Sequence, residues 1–75
     1  MKIEILGSGC AKCKKLEANA REAVDRAGIS AEVVKVQEME KILSYGILST
    51  PGLVVDGEVK STGKLLAPEQ IASLL

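Results

Sequence analysis

Seventy-five residues leave room for one domain, 1–75, and a chain this short buries only about 60% of the surface it exposes when unfolded. Ten basic and ten acidic side chains give zero formal net charge, which removes any electrostatic case for nucleic acid or an anionic membrane. At 47% hydrophobic and 27% charged residues the composition is globular and not disordered, and Tyr45 as the sole aromatic excludes a base-stacking platform.

Lys2–Leu6 alternates, with Ile3 and Ile5 on one face and Glu4 and Leu6 on the other, as a half-buried strand does. Lys2 and Glu4 also interrupt any signal-peptide core, and no apolar run approaches the ~20 residues of a membrane span. A soluble cytoplasmic protein is expected, in a compartment where disulfides are usually transient and catalytic. Gly7-Ser8-Gly9 then provides a flexible turn. Over Ala11–Ala27 the apolar residues Cys13, Leu16, Ala20, Ala23, Val24 and Ala27 recur at helical spacing. Glu17–Arg21 and Glu22–Arg26 are i,i+4 pairs in the favourable order, and Gly28 is a natural stop.

Ala31–Val36 reads as a β-branched strand. Glu38–Tyr45, with Met39, Ile42 and Leu43, reads as a short helix ending at Gly46. Leu53–Val55 and Val59–Thr62 flank Asp56-Gly57, the strongest two-residue hairpin signal. Pro68 suits the first turn of a last helix, with Ile71, Leu74 and Leu75 as its buried face. The order β-α-β-α-β-β-α describes an α/β fold: a four-stranded mixed sheet with helices on both faces. The first two strands are parallel through a right-handed crossover, and the last two form an antiparallel hairpin.

Cys10 and Cys13 are the only cysteines, and Cys-x-x-Cys at a helix start is the minimum pair for thiol–disulfide exchange. The loop they close is too small to add much stability, which points to chemistry over stapling. An ordinary thiol, with a pKa of about 8.5, is mostly protonated in the cell. Cys10 at the helix N-terminus faces unpaired N–H groups and the positive end of the dipole, with Lys12 nearby, so its pKa should be lowered. Cys13, one turn inside, should be shielded and keep a higher pKa. Cys10 then attacks a substrate disulfide and Cys13 resolves the mixed disulfide. Gly7 and Gly9 read first as suppliers of unusual dihedrals at a tight turn, with close approach of a substrate backbone as the alternative. Lys12, Lys14 and Lys15 read first as a solvated helix start. Of Ile47 and Leu48, one is expected inside and one outside.

Gly7-Ser8-Gly9-Cys10-Ala11-Lys12-Cys13 after the first strand, Ser49-Thr50-Pro51 before the third and the Asp56-Gly57 hairpin together resemble the thioredoxin-like family. The likeness is to its small thioredoxin/glutaredoxin-like redox-active disulfide proteins of prokaryotes and covers nearly the whole chain. It implies protein disulfide substrates, a reductase or other dithiol donor as partner, a monomer, and no cofactor or metal. It further implies a cis proline at Pro51 beside the disulfide, with the backbone of Thr50 pairing with substrate and Gly9 bordering it; a trans proline starting an edge strand is the plain alternative. Glu4, six residues before Cys10, matches a buried acid that aids proton transfer in thioredoxins, against the simpler reading of a rim carboxylate. The chain departs from its relatives in the Ala11-Lys12 dipeptide, in lacking Trp before Cys10, and in Gly63-Lys64 where glutaredoxins bind glutathione.

Two other functions compete with disulfide exchange. A copper-binding module also carries Cys-x-x-Cys near residue 10, but in a β-α-β-β-α-β order, and a zinc site needs more ligands than two cysteines without histidine provide. A non-catalytic thioredoxin-fold interaction domain would not need the intact pair.

Overall fold

The computed structural model describes residues 1–7, 9, 11–47 and 49–75. Along the chain run β1 (Lys2–Leu6), α1 (Ala11–Ala27), β2 (Glu32–Val36), α2 (Met39–Ser44), β3 (Gly52–Val55), β4 (Glu58–Thr62) and α3 (Pro68–Ala72). The strands form one mixed sheet of order β2-β1-β3-β4. β1 pairs parallel with β2, Ile3 opposite Val33 and Ile5 opposite Lys35. It pairs antiparallel with β3, Ile3 opposite Val55 and Leu6 opposite Gly52.

The alternation in β1 divides the interior between the two faces of the sheet. Ile3 and Ile5 point towards α1 and α3, where they meet Leu16, Ala20, Ala23, Leu53, Val55 and Ile71. Leu6 and Val54 point the other way, towards Val36, Ile42 and Ile47. Helices therefore cover both faces, as the element order requires. The two i,i+4 pairs form on α1: Glu17 to Arg21 at 2.9 Å and Glu22 to Arg26 at 2.9 Å. Arg26 also reaches Glu69 of α3 at 2.6 Å, and the guanidinium holds that carboxyl below its usual range.

Asp56 and Gly57 have φ of 50° and 83°, the pair of left-handed residues that a tight hairpin matches to strand twist. Asp56 is further clamped to β1: its Oδ1 accepts from the Lys2 N–H and its own N–H donates to the Lys2 carbonyl, both at 2.8 Å. In the hairpin Leu53 faces Ser61 and Val54 faces Val59, so Lys60 bulges out of register on the edge strand.

Several expectations change, and β3 and β4 each begin one residue earlier than expected, at Gly52 and Glu58. The second strand begins at Glu32, and Ala31 packs on the core from just outside it. The second helix spans only Met39–Ser44, and its inward face is Ile42 with the following Tyr45, an i,i+3 pair. Met39 and Leu43 are consequently 58% and 53% exposed. Ala27 is exposed at the end of α1. In the last helix Ile71 is fully buried while Leu74 is 36% exposed, because α3 ends at Ala72 and Leu74 lies beyond it. Ile47 is buried; Leu48 lies outside the described residues.

Candidate functional site

The site lies where β1 ends, α1 begins and the α2–β3 connection returns to the sheet. Cys10 lies outside the described residues, as does Ser8. Cys13 is 4% exposed, on the inward side of α1 three residues before the fully buried Leu16. Its neighbour on the strand side is Gly7, whose N–H donates to the Val36 carbonyl at 2.9 Å. A β-carbon placed on Gly7 would overlap Cys13 Sγ and stand 3.1 Å from Cys13 Cβ. Gly7 is thus small because the sulfur needs its place, and not for an unusual dihedral. Gly9 does have a positive φ, 88°, as expected of a tight turn.

The same imagined carbon on Gly7 would lie 3.9 Å from Thr50 Cβ, so Thr50 borders Gly7 from a separate part of the chain. The Thr50–Pro51 peptide is cis. Thr50 is exposed while Pro51 is fully buried, and the Pro51 carbonyl accepts from the Gly63 N–H at 2.8 Å. Three separated segments therefore meet at one end of the sheet.

Lys12 is exposed on the first turn of α1 and does not line the cleft beside Cys13 among the described residues. That cleft, of about 30 Å³, is lined by Ile5, Gly7, Gly9, Cys13, Lys14, Lys35 and Gln37. Lys35 and Gln37 are neighbours that sequence reading missed. The parallel register, which sets Lys35 opposite Ile5, is the only signal that could have placed Lys35 there. A larger groove, about 390 Å³, runs beside β4 and is lined by Val59, Lys60, Ser61, Thr62, Lys64, Leu66 and Leu74. Among the described residues it is lined by no cysteine, so the smaller cleft is the one that bears on exchange chemistry.

Glu4 stands apart from this group, on the α2 side of the sheet. It is 6% exposed, which corrects the reading of a rim carboxylate. Its Oε2 accepts a 2.8 Å hydrogen bond from the Tyr45 hydroxyl. That bond, followed by burial and by the Glu4 charge, pushes the Tyr45 phenol above its ordinary value. A buried carboxylate without such a donor would be costly, which explains why the lone aromatic is spent here.

The described residues include no helix long and apolar enough to cross a membrane. A family model for the thioredoxin domain matches residues 1–75. The chain is 52% identical over 75 residues to a thioredoxin of Methanothermobacter thermautotrophicus, covering 100% of this chain and 97% of that protein. It is 38% identical over 69 residues to a thioredoxin of Methanocaldococcus jannaschii, covering 92% of this chain and 79% of that one. The fold and these likenesses agree: the chain belongs to the thioredoxin family.

Proposed function

We propose that this chain is a thiol–disulfide oxidoreductase acting on protein disulfides through Cys10 and Cys13. The observation that carries the reading is the burial of Cys13 against Gly7, beside exposed Thr50, at the start of α1. A thiol shielded there can wait for a mixed disulfide formed by the cysteine three residues earlier. The helix N-terminus favours the thiolate at that earlier position.

The electron count closes in two steps. The Cys10 thiolate attacks one sulfur of the substrate disulfide; a Cys10–substrate S–S bond forms, and the other substrate sulfur leaves as thiolate and takes a proton. Cys13, losing its proton, then attacks the Cys10 sulfur, forms the Cys10–Cys13 bond and releases the second substrate sulfur. Two electrons and two protons pass to the substrate, and a reductase or other dithiol donor restores the pair. Lys12 adds positive charge at the helix start. Exposed Thr50 and half-buried Gly9 border the surface on which the substrate chain lies, and buried Pro51 follows Thr50 directly in the chain. The protein works as a single cytoplasmic domain without a cofactor.

Reduction of insulin by dithiothreitol, followed by turbidity, tests the reading. The protein accelerates it, Cys10→Ser abolishes the acceleration, and Cys13→Ser accumulates a mixed disulfide detectable by mass. Undiminished turnover in the double serine variant would rule the reading out.

A further inference from the structure

Among the described residues, the lysines around the Cys13 cleft form no salt bridge. Lys14 from α1 and Lys35 from β2 line the same cleft as Cys13 and Gly9. Lys12 and Lys15 stand exposed on the first turns of α1, and that helix has no acid in its first turn. Among the described residues the ion pairs lie elsewhere, at Glu17–Arg21, Glu22–Arg26–Glu69 and Glu58–Lys60. Glu32, Glu38 and Glu40, the acids nearest to Lys35 in sequence, are exposed and pair with none of these lysines. In a chain of zero net charge, lysines that form no salt bridge among the described residues leave their charge open to a partner, and this is not a by-product of a basic composition.

We propose that this lysine rim is a docking surface for protein substrates that carry acidic side chains beside the disulfide to be reduced. The inference rests on the exchange reaction proposed above and adds a preference among its substrates. Size favours a polypeptide over a small anion enclosed in the cleft. About 30 Å³ admits little more than one or two water-sized groups. The charges are instead spread along a rim contributed by two separate elements, which suits an extended segment with several carboxylates. Complementary charge of this kind acts mainly on encounter and register, and salt screens it.

Two synthetic peptides test the preference, each with the same intramolecular disulfide, flanked by glutamates in one and by glutamines in the other. Single-turnover exchange with the reduced protein gives a rate ratio, glutamate over glutamine peptide. Any change in thiolate reactivity acts on both peptides and cancels in that ratio. The expected ratio is about five at low ionic strength, the scale of one or two exposed ion pairs. It should fall towards one at about 1 M salt, where charges are screened beyond about 3 Å. Lys14→Gln combined with Lys35→Gln should bring it near one at low salt. Lys60→Gln, on the opposite edge of the sheet, should leave it unchanged. A ratio of one for the unmodified protein overturns the proposal, as does an equal loss in Lys60→Gln, which would make the effect one of net charge alone. Failure to reduce either peptide would instead remove the exchange reading, and this preference with it.

Discussion

The Tyr45 hydroxyl donates a 2.8 Å hydrogen bond to Oε2 of Glu4, joining the residue that ends α2 to the middle of the central strand 41 positions earlier. The bond makes burial of a carboxylate tolerable among the aliphatic residues on the α2 side of the sheet. It also ties the start of the connection that runs on to Thr50 and Pro51.

Tyr45→Phe keeps the ring and removes the donor, leaving Glu4 buried without it. The expected loss is about 1–3 kcal/mol, the cost of an unsatisfied buried polar group. Glu4→Gln, which keeps an acceptor for the hydroxyl, should lose less. Urea titration of both single variants and the double variant measures the coupling. Additive losses would show that the hydroxyl gains nothing from the charged acceptor over a neutral one.

The same pair sets an alkaline limit. The folded phenol holds its proton more tightly than its ordinary value of 10.0, chiefly because it donates to Glu4. The folded state therefore binds more protons than the unfolded state above that value. The stabilisation is whole below about pH 10 and is lost as pH rises through the raised folded value. Lysines titrate in the same range, so the informative quantity is the stability difference between the unmodified protein and Tyr45→Phe. That difference should be constant from pH 7 to 9 and shrink above about pH 10.

Gly7→Ala places a carbon in the space of Cys13 Sγ. Overpacking of this kind typically costs about 1–3 kcal/mol. Here it should also displace the sulfur, so the loss in insulin reduction should exceed that of Gly28→Ala, where a φ of 65° strains the backbone but an added carbon meets nothing within 4 Å. Equal activity in the two variants would show that the sulfur's place does not depend on Gly7.

Ile71 and Leu74 separate burial from mere hydrophobicity at the C-terminal end. Ile71 is fully buried against the α1 face, whereas Leu74 is 36% exposed. Ile71→Ala is expected to cost about 2–5 kcal/mol. Leu74→Ala should stay within about 0.5 kcal/mol. Thermal melts of the two variants make the comparison, and similar melting temperatures would contradict the packing described.

Much of this layout can be read from the chain because its signals are local. Ile3, Ile5 and Leu6 announce a strand, the spacing of Cys13, Leu16, Ala20 and Ala23 announces a helix, and Asp56-Gly57 announces the turn between β3 and β4. Glu4 escapes such reading, because an acid in an alternating strand reads as outward until its partner is known. That partner, Tyr45, is fixed only by the packing of α2. Lys35 reaches the cleft through strand register, which no single segment encodes. Six residues of α2 contain too few turns for periodicity to choose between Ile42 and its apolar neighbours. Gly7 shows the same limit, since its smallness answers to a sulfur on another element.

The central place of β1 also bears on synthesis. Its parallel neighbour ends at Val36, but its antiparallel neighbour begins only at Gly52. A nascent chain that has released its first forty residues can pair only two strands, too few to stand alone in water. The sheet closes only once Gly52–Thr62 have left the ribosome, so the cysteine segment emerges well before the scaffold that will surround it.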